Sequence, residues 1–336
     1  MKAPKRISIT DVARRANVSI TTVSRVLNKV PTVDKEIAAR VDQAIAELKF
    51  RPNPTAQRLA KGGMGTAIGF VIPGFPGIFH SFYAVELMRG IGHGCETMHL
   101  DLIFYISDGK GPLRSNYAGG LIFADIIENR SQVEDALTDS VPALVINHLV
   151  KDLDVSYIAV DNVKGGESAA EYLISLGHKR IATVTGNMQT QAGMDRYEGF
   201  QKTLMKRGID FDPEYFFKGD YSRRSARDAA VHLFSLDSPP TAIFAASDDM
   251  ALEIISVAQE NGIKVPEDIS VIGFDDNPAG LFGSVALTTI KQPLFAMGEE
   301  AVKIIHDIME GKQSSLVRKV LEPSLIIRES CAPPSS

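Results

Sequence analysis

Residues 8–28 read SITDVARRANVSITTVSRVLN, two short amphipathic segments divided by a tight break. Ser8 stands three residues ahead of Asp11, and Ser19 precedes Ile20. Both serines suit helix N-caps, because a hydroxyl accepts a backbone N–H left free in the first turn. Val12, Ala13 and Ala16 form one apolar face; Val23, Val26 and Leu27 form a second at helical spacing. Asn17-Val18 lies between them, where a residue tolerant of the left-handed region closes a short turn. The spacing predicts a helix-turn-helix, whose second helix suits a DNA major groove. A plain helical hairpin shares these features, so the choice rests on the rest of the chain.

After Lys29-Val30-Pro31, a third helix is expected from Asp34, its cap, to Lys49. Ile37, Val41, Ile45 and Leu48 would cover the first two helices and complete an all-α head over residues 1–50. Arg51-Pro52-Asn53-Pro54 stops that helix, since each proline biases its predecessor away from helix. Residues 54–61 can form two turns before Gly62-Gly63. A helix this short is marginal in water, so it needs DNA or a partner copy; otherwise 51–63 is a linker.

From Ala67 onward the rhythm is βα. Strands are expected at 67–72, 100–106, 120–124, 143–147, 157–161, 180–186, 242–247, 270–275 and near 325–329. Helices fit near 83–98, 164–176, 195–207, 222–236, 249–262 and 294–310. Alternation of this kind implies parallel sheets covered on both faces, here an α/β body of two doubly wound subdomains with a cleft between them. The body is expected over 64–330: an N-subdomain of about 64–161 plus 291–320, and a C-subdomain of about 162–290 plus 321–330. One connection does not fit. Strands 100–106 and 120–124 are expected as parallel neighbours, yet 107–119 carries Gly109, Gly111, Pro112 and Gly119, poor material for a crossover helix.

The net charge of −5 hides a division: residues 1–62 sum to +8 and the remainder to −13. A basic head on an acidic body implies that only the head meets a polyanion. Cys95 and Cys331 form no metal-ligand spacing, so neither a metal nor another cofactor is expected. No secretory signal and no membrane-length apolar run is evident, which leads to the expectation of a cytoplasmic protein without a membrane partner.

NVSITTVSRVLN, FRPNPTAQRLAKG, DRYEGF, ASDDMAL and ISVIGFDDNP occur in an order that resembles the LacI/GalR family of bacterial transcription regulators, over almost the whole length. The resemblance implies a body like a periplasmic sugar-binding protein, an effector in its cleft and a dimer interface along its side. The compressed 107–119 connection departs from the family, whose members usually have a helix there. The implied function is that of a sequence-specific regulator, most simply a repressor, binding pseudo-palindromic operator DNA as a homodimer.

For the head, Ile20 and Thr21 open the second helix where side chains reach base edges, and Arg25 is the candidate for direct readout. An arginine fork bonds guanine O6 and N7 together. Ser19, Thr22, Ser24 and Asn28 suit phosphates, which fix register without reading sequence. The resemblance makes Leu59 the wedge between central base pairs, consistent with an apolar side chain that unstacks a step from the minor groove.

For the cleft, the resemblance assigns Arg196 as the ligand-binding arginine, Asp248 and Asp275 as acceptors of ligand hydroxyls, and Tyr221 as an aromatic wall. Phe75, Phe79, Phe82 and Tyr83 would line the other lip, and Asp161 would contribute near the hinge crossing. An arginine among carboxylates and rings suits a polyhydroxylated ring, so a sugar is the expected effector. Thr190 stands where purine-responsive relatives resemble one another in carrying a second arginine, which disfavours a purine.

An enzyme is not expected. Gly62-Gly63-Met64-Gly65 precedes a strand and fails the G-x-G-x-x-G spacing; P-loop, G-x-S-x-G and zinc patterns are missing. A global regulator answering to a phosphorylated partner protein instead of a sugar is the main alternative. Residues 330–336, SCAPPSS, carry no heptad for a tetramerising coil, which favours a dimer.

Overall fold

The computed structural model describes residues 8–27, 33–48, 50, 67–74, 78–113, 117–125, 129–209 and 212–335. The expected 54–61 helix, with the rest of the 51–63 hinge, lies outside these residues.

The head comprises α1 (Ile9–Ala16), α2 (Ile20–Leu27) and α3 (Lys35–Leu48). Ser8 and Asp11 close a reciprocal capping box: Asp11 N donates to Ser8 Oγ at 3.3 Å, and Ser8 N donates to Asp11 Oδ2 at 2.9 Å. Asn17 takes φ 52°, the left-handed conformation that ends α1. Thr22 N donates to Ser19 Oγ at 3.1 Å, and Asp34 Oδ1 receives Glu36 N at 2.8 Å. Val12, Ala13, Ala16, Val23, Val41 and Ala44 are buried together, as the helical faces required, with Phe50 closing the same core.

The body holds two six-stranded sheets. The first is built from β1 (Ala67–Pro73), β2 (Asp101–Ser107), β3 (Gly120–Ala124), β4 (Ala143–Ile146), β5 (Ser156–Val160) and β11 (Arg318–Leu321), ordered β11-β5-β4-β3-β1-β2 and wholly parallel. The second contains β6 (Ile181–Val184), β7 (Phe216–Phe217), β8 (Ala242–Ala245), β9 (Ser270–Asp275), β10 (Thr288–Lys291) and β12 (Ser324–Ile326), ordered β12-β10-β9-β8-β6-β7. Among the described strands, only β12 runs antiparallel, beside β10. The chain therefore passes between the sheets three times: after β5, after β10 and after β11.

Helices α4 (Phe82–Thr97), α5 (Arg130–Thr138) and α10 (Leu294–Met309) serve the first sheet; α6 (Asn162–Ser175), α7 (Gln191–Lys206), α8 (Arg223–Phe234) and α9 (Asp248–Glu260) serve the second. Helices α6 and α7 meet through Gly166 and Gly199. A Cβ at either would lie 2.0 Å from a carbonyl oxygen of the facing helix, Arg196 O or Val163 O. That close approach sets the depth of α7, and with it the reach of Arg196.

The sequence-based expectation for strands 100–106 and 120–124 is corrected here. They are not neighbours, because β1 lies between β2 and β3 and pairs in parallel with both. Their connection has no helix among its described residues, but it is tied down. Gln132 on α5 accepts from Ser107 Oγ at 2.8 Å and donates to Gly111 O at 2.9 Å, while Ala118 is fully buried. Four elements escaped the sequence reading: α5, β7, β10 and β11. The last expected strand, 325–329, is shorter, at Ser324–Ile326.

Candidate functional site

On the head, α2 turns Val23 into the core and leaves Ile20, Thr21 and Arg25 exposed on the outside. Thr22 and Ser24 are half-buried, and the Thr22 and Ser19 hydroxyls lie 2.8 Å apart at the helix entry. Asn28 and Leu59 lie outside the described residues. A residue that sequence reasoning missed is Arg40 on α3. Its Nη2 donates to Ala16 O at 2.8 Å and Asn17 O at 3.1 Å, so α3 holds the end of α1 and the turn that aims α2.

On the body, the strands of both sheets end at one cleft, where parallel α/β sheets place their ligands. Gln191 spans it: Leu149 N donates to Gln191 Oε1 at 2.6 Å. The C-subdomain wall centres on Arg196, which is 4% exposed. Its Nε donates to Asn162 Oδ1 at 2.8 Å and its Nη1 to Ala246 O at 2.6 Å; Nη1 also lies 3.8 Å from Asp275 Oδ1. The guanidinium lies over the Phe274 ring at 3.7 Å and near Tyr221 at 5.9 Å. Gln292 Nε2 donates to Asp275 Oδ1 at 2.6 Å. Burial pushes the Asp275 carboxyl up to about 6, with Arg196 and Gln292 acting in the opposite direction. Tyr221 lies flat against Gly186, where a Cβ would fall 2.1 Å from the ring.

The opposite lip carries Tyr83, Asp125, Asn147 and His148. Burial, then the charge of Asp125, hold the Tyr83 hydroxyl well above its ordinary range, and Asn147, Arg196 and Tyr221 stand close enough to influence it. Both lips thus converge on one space. Among the described residues, Tyr83 OH, Asp125 Oδ1, Asn147 Oδ1, His148 Nδ1 and Gln292 Oε1 are buried without a hydrogen-bond partner. Buried polar atoms are ordinarily satisfied, so this cluster is a candidate ligand site. Strain gathers here as well: Asp125, Asn147, Tyr221, Asp275 and Asp276 adopt φ of 64°, 60°, 70°, 125° and 61°.

Several expected site residues have other tasks. Asp248 is fully buried behind the wall, where Thr289 Oγ1 donates to it at 2.5 Å and Asn277 N at 2.7 Å. It braces the β9 end through these bonds. Asp161 caps α6 by accepting from Lys164 N at 2.8 Å. Phe82 packs into the apolar core of the first subdomain, and Phe79 is 52% exposed on a 3-10 turn; Phe75 lies outside the described residues. Asp125, Asn147, His148 and Gln292 were not expected. The first two stand one residue beyond β3 and β4, and that strand-end position was the signal available.

A helix-turn-helix head on a two-sheet body with a polar cleft defines the class of a DNA-binding regulator. Comparison with known proteins narrows it. Residues 8–53 match the bacterial regulatory proteins of the lacI family, and residues 170–331 match the periplasmic binding protein-like domain. The HTH-type transcriptional regulator DegA of Bacillus subtilis (strain 168) is 31% identical over 98% of this chain and 99% of its own. The structure of the transcriptional regulator CelR–cellobiose complex aligns with a TM-score of 0.73 at 27% identity, covering 97% of this chain and all of that one. The lac repressor dimer bound to operator and the anti-inducer ONPF aligns at 0.72 and 27%, covering 98% of this chain and all of that one. The chain belongs to the lacI family and is a DNA-binding transcription regulator, not an enzyme. No helix among the described residues is long and apolar enough to cross a membrane.

Proposed function

We propose that this protein is a cytoplasmic repressor that binds a pseudo-palindromic operator as a homodimer and is switched by a sugar or sugar derivative in the cleft. The carrying observation is the set of buried, unpartnered polar atoms facing Arg196 and Asp275 across the cleft. Tyr83, Arg196, Tyr221 and Asp275 serve as effector contacts on this reading, joined by Asp125 and Asn147. The working division is head 1–50, hinge 51–63 and body 64–330, with the subdomains exchanging near 161, 291 and 321. The dimer is supported by apolar side chains left in solvent on each subdomain. Phe104 and Ile106 lie exposed on edge strand β2, and Phe282 is 85% exposed beside a groove lined by Leu252, Ile255 and Val285.

Ser19, Ile20, Thr21, Thr22, Ser24, Arg25, Asn28 and Leu59 carry DNA contact, with Arg25 reading a guanine and Leu59 wedging the centre. Selection of bound DNA from a random pool at defined salt is the test. The expected product is a two-fold symmetric site in which Arg25→Ala erases one guanine preference worth ~1–3 kcal/mol. Smooth, sequence-independent binding with a steep salt slope would defeat the reading. Relatives here include the CelR–cellobiose complex, which supports a carbohydrate effector.

A further inference from the structure

Three of the five unpartnered atoms of the cleft are acceptor oxygens, while the Tyr83 hydroxyl and the His148 ring nitrogen can also donate. The three are Asp125 Oδ1, Asn147 Oδ1 and Gln292 Oε1, and Asn129 Oδ1, on the side chain that reaches Asp125 O at 3.4 Å, is a fourth acceptor. Asn and Gln oxygens can exchange places with their nitrogens, but a carboxylate has no donor face when ionised. Asp125 is therefore the fixed point. It is 9% exposed at the end of β3, and its charge pushes up the hydroxyls of both Tyr83 on its own lip and Tyr221 on the facing one.

Among the described residues, the cation that meets Asp125 is the ring of His148, whose Nδ1 lies 3.8 Å from Asp125 Oδ1, an ion pair when the ring is protonated but beyond hydrogen-bond reach. Arg196 is engaged by Asn162, Ala246 O and Asp275. Lys291 and Arg328 are both drawn to Asp276. A carboxylate held this way repels a second anion and attracts donors.

Building on the sugar reading above, we propose that the effector is a polyhydroxylated ligand without negative charge, its hydroxyl or ammonium donors seated on Asp125, and that Asp125 excludes phosphorylated and carboxylated sugars. A carboxylate accepts paired donors from a vicinal diol or from an ammonium group, so neutral sugars and amino sugars are the two sources of one recognition chemistry. Arg196 orients the ligand without recruiting an anion, because Asp275 already offsets its charge.

The experiment is isothermal titration of the full-length protein with matched sets: neutral hexoses and cellobiose, hexosamines, hexose 6-phosphates and hexuronates. The expected result is heat from a neutral or amino sugar, with the matched phosphate or acid weaker by on the order of tenfold or more. The hexosamine arm separates ammonium from hydroxyl recognition. Asp125→Asn should narrow the gap between neutral and anionic partners by on the order of tenfold. Asparagine tolerates the positive φ at this position, so the turn is kept, and an unchanged melting temperature verifies that it folds. Preferential binding of a phosphate or uronate by the wild type, or a gap that Asp125→Asn leaves intact, overturns the proposal alone. Silence toward every sugar, with operator binding intact, defeats the sugar reading and this inference with it.

Discussion

The two walls of the cleft hold their polar groups on opposite terms. On the C-subdomain side, Arg196 lies on Phe274, donates to Asn162 and Ala246, and faces an Asp275 that Gln292 also holds. On the N-subdomain side, Tyr83 OH, Asp125 Oδ1 and Asn147 Oδ1 are just as secluded and have no hydrogen-bond partner among the described residues. The first wall is held largely by its own bonds; on the reading proposed above, the second would gain its bonds from the effector. Removing a side chain from the first should therefore cost folding, and removing one from the second should cost binding.

The largest effect is expected from Arg196→Met. It leaves Asp275, Asn162 Oδ1 and Ala246 O without their donor inside a buried wall. Breaking a buried pair in this way costs ~3–5 kcal/mol. Urea unfolding followed by circular dichroism should show the midpoint falling steeply. A loss below ~1 kcal/mol would mean that the wall is not held by Arg196 and would erase the contrast between the two sides.

A pH experiment sharpens the same contrast. Asp275 has its folded-state carboxyl raised from 3.8 to about 6, mainly by burial. Between those values the folded protein holds a proton that the unfolded chain has released. This group's contribution to stability is therefore full below 3.8, declines as pH rises toward 6 and is gone above it, a change on the order of 2–3 kcal/mol. Other carboxylates impose their own slope, so the informative quantity is wild type minus Asp275→Asn. That difference should fall between pH 4 and 6 and stay flat above. A difference that rises over the same window would reverse the assignment.

Much of the head could be read from the chain because its signals are local. Ser8 with Asp11, Asn17 at the break and Asp34 before α3 each act within three residues of themselves. In the body, long apolar runs announced the central strands, whereas four-residue β10 and the charged edge strand β11, RKVL, had too little pattern to stand out. Helix α5 is RSQVEDALT, mostly polar, and so was passed over beside a glycine-rich connection. The strand order placing β1 between β2 and β3 is a long-range fact that no local spacing encodes. At the cleft, Arg196, Tyr221 and Asp275 were found through motifs. Asp248 came with them through the ASDDMAL motif, but its burial comes from Thr289 and the Gly273 backbone, far off in sequence. Asp125 and Asn147 occupy the same kind of position after β3 and β4, and applying the strand-end rule to every strand would have found them.

The smallest change in stability is expected on the unsatisfied wall, from Tyr83→Phe. The ring packs against the first subdomain's core and is retained, while the buried hydroxyl that goes makes no hydrogen bond of good geometry among the described residues, with Asn147 a polar neighbour that influences it. Deleting a buried polar group that makes no hydrogen bond removes a desolvation cost without breaking an interaction. Thermal unfolding should therefore move by no more than ~0.5 kcal/mol, and upward if at all. Effector affinity should fall by on the order of fivefold, the loss of one neutral hydrogen bond worth ~1 kcal/mol. A variant that unfolds early while binding effector normally would show that Tyr83 OH supports the fold, and would place both walls on the same terms.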